Sequence, residues 1–187
     1  MAESQQEFPK TIALVGGSFK FPTIAHWYMV EQYAKTADEV VVLISDPKNL
    51  KSIRKTSTGT IITAEMSKKI FDVYISRYNL QNKVKAIISP EPSPITALFK
   101  YIDNNLTDVN VILGVSKKGG DEARFKSAEK YYADNEHIHL LNPLETAVEP
   151  YLDKSGQPIS ATDARNNIDN IEIIKKYLPE KLTDSDI

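Results

Sequence analysis

The chain has 187 residues, 41% of them hydrophobic and 26% charged, with a formal net charge of −2 and no cysteine. These values fit one domain with a sizeable core. They exclude disulfides and thiolate metal sites, and they argue against a general nucleic-acid binder, which is ordinarily basic. The opening residues "MAESQQEFPK" are polar, without the apolar segment of a secretory signal. No apolar run reaches the roughly 20 residues that a membrane helix needs. The expectation is a soluble, cytoplasmic protein with neither nucleic acid nor membrane as partner.

In chain order, the first apolar run is "TIALVGG" from Thr11. It is short, rich in β-branched residues and continuously apolar, the pattern of a strand buried on both faces and hence parallel. A helix follows from near Ile24, with Trp27, Val30 and Ala34 on one face; Trp27 is most simply a core anchor. The second strand is "VVVLIS" from Val40. The loop after it carries Lys48, Lys51, Arg54 and Lys55, and the next helix puts Met66, Ile70, Val73 and Tyr74 on one face. The third strand, "VKAIIS" from Val84, leads to a helix with Ser93 as N-cap and Pro94 at its first position. Strands four and five are "VNVILG" from Val109 and "HIHLL" from His137, and "IEIIKKYLPEKLTDSDI" reads as a closing helix and tail. Strand alternating with helix implies right-handed crossovers. The fold class is therefore α/β: a Rossmann-like, doubly wound parallel five-stranded sheet with helices on both faces. Residues 1–187 read as a single domain, with a core over about 11–168 and a C-terminal helix and tail over 169–187.

Ligands of such folds bind at the carboxyl ends of the strands, which directs attention to the loops. In "GGSFKFPTIAH", Gly16 and Gly17 permit a sharp turn and a close backbone approach. The helix start behind them favours an anion such as a phosphate, with Ser18 and His26 beside it. A tight turn with a capping hydroxyl and a half-buried histidine accounts for the same residues without a ligand. Neither G-x-G-x-x-G nor a Walker loop is present. In "ISATDAR", residues 159–165, Ser160 reads as an N-cap, Asp163 completes a capping box, and Thr162 and Arg165 share a helix face. That is a second phosphate-receptive helix start, or else a plain capped helix with a solvated arginine.

Together these stretches resemble the nucleotidylyltransferase superfamily. "GGSFKFPTIAH" is similar to the signature G-[TS]-F-[DN]-P-x-[HT]-x-G-H, ungapped from Gly17 to His26, with Thr23 and His26 at the [HT] and H positions. Lys20 and Phe21 replace the acidic or amide residue and the proline, and Ala25 stands where the family has glycine. "ISATDAR" is similar to the I-S-S-T-x-x-R motif, and "ILGVSKKGGDEARF" resembles the family's nucleotide loop after strand four. The resemblance spans roughly Thr11 to Ile168. It implies nucleotide binding by Gly16, Gly17, Ser18, Phe19, Ala25, Gly114, Asp121, Ser160 and Thr162, and catalytic roles for Thr23, His26, Arg165 and Lys48.

The reaction it implies is transfer of a nucleoside monophosphate. The favoured pair is ATP with a phosphorylated acceptor such as nicotinamide mononucleotide, releasing pyrophosphate. Mg2+ would be carried mainly by the phosphates, with no protein metal site. Phosphopantetheine adenylyltransferase, cytidylyltransferase and a catalytically inactive nucleotide sensor are the alternatives. An aminoacyl-tRNA synthetase is disfavoured by the chain length and the lack of a K-M-S-K-S-like loop. A homo-oligomer is left open.

Overall fold

A computed structural model describes residues 8–19, 21–46, 54–56, 59–90, 94–115, 132–133, 135–141, 146–149, 151–157 and 159–183. Five parallel strands form the central sheet: β1 (Thr11–Gly17), β2 (Glu39–Ser45), β5 (Val84–Ser89), β6 (Val109–Leu113) and β7 (Ile138–Leu140). Their spatial order is β5-β2-β1-β6-β7. All five expected strands are present, parallel, in a doubly wound order. Two short strands not expected from the sequence, β3 (Arg54–Lys55) and β4 (Ile61–Ile62), pair antiparallel between β2 and the second helix.

The inner strands β1, β2 and β6 are buried along most of their length because helices cover both faces, whereas the edge strand β5 exposes Lys85 between buried Val84 and Ala86 and β7 carries a half-buried His139. Ala13, Val15, Val40, Val42 and Ile44 point to one side, where they pack with Trp27, Val30 and Tyr33 of α1 (Ile24–Thr36) and Phe71 and Tyr74 of α2 (Ala64–Arg77). Ile12, Leu14, Val41 and Leu43 point to the other, against Leu98 and Ile102 of α3 (Pro94–Asn105). Helix α3 begins at Pro94 as expected; Ser93 lies outside the described residues.

Helix α2 differs from expectation. Its buried residues are Ala64, Ser67, Phe71, Tyr74 and Ile75, whereas Met66 is 43% exposed. Of the expected stripe Met66, Ile70, Val73 and Tyr74, only Tyr74 is fully buried; Ile70 and Val73 are half-buried, so the stripe is rotated from the true buried face. A serine marks that face, and a hydroxyl carries no apolar signal. The C-terminal region holds α4 (Ala161–Asn166), α5 (Ile171–Ile174) and a 3-10 turn at Lys175–Tyr177. Among the described residues no helix is long and apolar enough to cross a membrane.

Candidate functional site

Strand β1 lies between β2 and β6, so the chain leaves β1 toward one side and later returns to the other. This is the switch point of the sheet, where a crevice opens at the strand ends. Gly16 and Gly17 end β1 in register with Leu43 and Ile44 of β2, and the Gly114 N–H donates to the Leu14 carbonyl at 2.7 Å.

The loop from β1 to α1 is shaped by aromatic packing. Phe19 is 5% exposed and has φ 48°, a left-handed conformation that is uncommon for a residue with a side chain. Its ring lies over Gly17, and a Cβ on Gly17 would meet Phe19 Cζ at 2.9 Å. The Phe19 ring thus fills the space that a side chain at Gly17 would need, so a Cβ there would have to displace the ring. The Ser67 hydroxyl donates to the Phe19 carbonyl (2.6 Å), and the Tyr74 hydroxyl donates to the Pro22 carbonyl (2.7 Å). Burial pushes the Tyr74 phenol well above its ordinary value, so it remains a donor.

Thr23, 1% exposed, is the N-cap of α1, and His26 is at the third helical position, in the first turn as expected. His26 Nδ1 accepts the Thr23 N–H at 3.1 Å and lies 3.4 Å from the Thr23 hydroxyl. This is the reach-back half of a capping box, made by an imidazole in place of glutamate or glutamine. Because Nδ1 accepts, the ring proton sits on Nε2. The imidazole also meets the Phe19 ring edge to face, with centroids 5.0 Å apart. No acidic residue occupies the first turn of α1, so nothing on the helix offsets the positive end of its dipole. Ala25 and Ser18 are half-buried beside this end.

The second motif starts α4. Ser160 is its N-cap and accepts the Asp163 N–H at 3.2 Å, and Arg165 donates to the Thr162 hydroxyl at 3.0 Å. The expected shared face of Thr162 and Arg165 is therefore real. Asp163 stands in the first turn of this six-residue helix. The Asp163 carboxylate offsets the positive end of this short helix's dipole. Ala164, with no exposed surface, packs in one cluster with Phe21 of the first loop, Ile62 and Ile174. Phe21 of the first loop thus shares a core cluster with the helix that carries Thr162 and Arg165.

Gly114 has a packing reason of its own. A Cβ there would lie 2.8 Å from Val15 Cγ2 and 3.1 Å from the Leu14 carbonyl. The Tyr33 hydroxyl accepts the Val115 N–H (3.1 Å) and shares its proton between the carbonyls of Val115 and Thr146, each at 3.0 Å. Burial pushes its pKa up to about 12, so it holds the end of β6 as a neutral phenol. Lys48, Asp121 and Lys20 lie outside the described residues. Trp27, 1% exposed, packs edge-on against Tyr74 and Tyr78, the core anchor expected.

Sequence reasoning passed over Ser67 altogether and named Tyr74 and Phe21 without their roles in holding the loop. Ser67 and Tyr74 stand seven apart, so their hydroxyls fall on one helix face; that spacing was the available signal. On the far side of Phe21, a cavity of about 240 Å³ is lined by Ile70, Val73, Ile168 and Leu178 among others. Its apolar walls do not suit a triphosphate. Among the described residues no three His, Asp or Glu side chains stand together as a metal cage.

No protein-family model and no curated protein sequence matches the chain. Among solved structures, a bifunctional NMN adenylyltransferase/ADP-ribose pyrophosphatase from Francisella tularensis, complexed with AMP and a manganese ion, is similar with a TM-score of 0.54 and 13% identity. The match covers 90% of this chain and 44% of that one. A second structure of the same bifunctional protein gives a TM-score of 0.53 at 13% identity, covering 90% and 45%. The chain spans less than half the length of these structures, and at this identity the likeness shows the fold: a Rossmann-like α/β domain.

Proposed function

We propose that the protein is a nucleotidylyltransferase that transfers AMP from ATP to a phosphorylated acceptor, nicotinamide mononucleotide being favoured. The observation that carries the reading is the start of α1 at the switch point. It is a helix N-terminus with no acidic residue in its first turn, holding a histidine whose Nδ1 accepts a backbone N–H and whose proton is therefore on Nε2, while Phe21 of the preceding loop shares a core cluster with Ala164 of the Arg165 helix. The structural neighbours from Francisella tularensis are NMN adenylyltransferases in one of their two activities, which supports the reading.

In this reading the acceptor phosphate attacks the α-phosphorus, the α–β phosphoanhydride bond breaks, and pyrophosphate leaves. The acceptor is anionic at neutral pH, so no general base is needed. The protein orients two anions and stabilises the charge that develops between them. His26 Nε2–H donates to an α- or β-phosphate oxygen. Arg165, with Ser160 and Thr162, holds the β- and γ-phosphates through charge-assisted bonds. Lys48 is assigned to the phosphates, and Gly16, Gly17, Ser18, Phe19, Ala25, Gly114 and Asp121 to the nucleotide, on the sequence resemblance. A divalent cation, Mg2+ in this proposal, would neutralise phosphate charge while being held mainly by the phosphates. The protein works in the cytoplasm in this account.

The test is pyrophosphate release with ATP or CTP, each against nicotinamide mononucleotide and phosphopantetheine, with Mg2+. Release with ATP and nicotinamide mononucleotide is expected. Nucleotide binding with no release against any acceptor would overturn transfer and leave a nucleotide sensor.

A further inference from the structure

Helix α2 supports the first loop from behind, and one of its residues reaches the catalytic candidate through a single intermediary. Ser67 has no exposed surface, and its hydroxyl bond fixes the Phe19 carbonyl. Phe71, one turn on, meets the Phe19 ring edge to face at 5.1 Å, and the same ring meets the His26 imidazole edge to face at 5.0 Å. Phe19 holds φ 48°, a conformation that glycine would adopt without strain. A strained backbone persists where its surroundings over-determine it, and such sites cluster where geometry matters for function. A turn that merely joined a strand to a helix would need no phenylalanine there. The ring is what glycine could not supply, and its polar neighbour is His26.

We propose that Ser67 is a positioning residue for His26, acting through Phe19. The hydroxyl pins the Phe19 carbonyl, the pinned backbone aims the ring, and the ring fixes the plane of the imidazole while the Thr23 N–H fixes its Nδ1. The proposal rests on the reading of His26 as the group that contacts phosphate. Ser67 itself touches no substrate.

The experiment compares the full chain with Ser67→Ala, Ser67→Cys and Ile102→Val, the last in the core on the opposite face of the sheet. Histidine-ring 15N resonances report the His26 tautomer without any substrate. Pyrophosphate release from ATP and nicotinamide mononucleotide reports kcat and KM. Wild type is expected to show His26 as a single Nε2–H tautomer. Ser67→Ala should shift and broaden the His26 ring resonances as the Phe19 ring loses its fixed position, and lower kcat about five- to thirtyfold, the scale of one lost buried hydrogen bond, with KM for ATP nearly unchanged. Ser67→Cys, with a weak S–H donor, should restore part of both, and Ile102→Val should change neither. Unchanged ring resonances in folded Ser67→Ala would overturn the proposal. Should Ser67→Ala fail to fold, Phe19→Leu takes its place, and unperturbed His26 ring resonances in that variant overturn the proposal equally. Absence of pyrophosphate release in wild type strikes only the proposed reaction; the ring resonances then decide the positioning role alone.

Discussion

His26 Nδ1 accepts the Thr23 N–H, so alanine at this position removes a helix-end bond as well as an imidazole. Glutamine at the third helical position can make the same reach-back bond but cannot supply an imidazole Nε2–H. His26→Gln is expected to lower pyrophosphate release about a hundredfold or more while its melting temperature stays near wild type. His26→Ala should add a stability loss of about 0.5–1.5 kcal/mol, the net worth of one such bond. Thermal melts and turnover on both variants separate the two roles, and near wild-type turnover in His26→Gln would remove the histidine from the chemistry. Arg165 is half-buried and donates to Thr162. A charge-assisted contact is worth about 1.5–3 kcal/mol, so Arg165→Ala should weaken ATP–Mg2+ binding by about ten- to a hundredfold in a calorimetric titration. An unchanged isotherm would reduce Arg165 to a surface residue.

The first loop, α2 and the end of β6 form one packed unit at the scale of elements. Two α2 hydroxyls hold the loop's carbonyls, Phe21 joins the loop to α4, and the Tyr33 hydroxyl holds Val115. Gly114 sits where a methyl has no room. The Leu14 carbonyl at 3.1 Å is backbone and cannot swing aside, so Gly114→Ala must displace β6 or the Val15 side chain. Overpacking of this kind costs about 1–3 kcal/mol, and a denaturant titration should show it as a lowered midpoint. A midpoint equal to wild type would mean that β6 moves without cost. The nucleotide role given to Gly114 is then readable as the difference between this stability loss and any further loss of ATP affinity in the folded variant.

Across the whole molecule, the described titrating groups with shifted values include His137, just before β7, and Asp153, in the segment between β7 and α4. The Asp108 carboxylate, 2.8 Å from His137 Nδ1, raises the imidazole above its ordinary 6.5 by hydrogen bonding and then by charge. A raised folded value means stability that is full below the unfolded pKa and lost as pH rises through the folded one. Both side chains are mostly exposed, at 64% and 60%, so the effect is small. Wild type should lose slightly more melting temperature than His137→Gln between about pH 6 and about pH 8, where histidine titrates; parallel curves would refute the coupling. Asp153 behaves oppositely. The Ser155 hydroxyl and then the Gln157 N–H lower its pKa, so its contribution is present above the ordinary 3.8 and lost as pH falls through the lowered value. The sequence by itself determined the sheet: five short, largely apolar runs rich in β-branched residues gave the five parallel strands, although the edge strand β5 is not buried on both faces, and the positions of α1 and of the Ser160 cap followed from local chemistry. Tertiary structure alone decided how the site is held. Whether Ser67 faces core or solvent, what lies over Gly17, and which residue joins the two motifs depend on neighbours distant in sequence, and hydroxyl bonds to loop carbonyls leave no trace in hydrophobic periodicity.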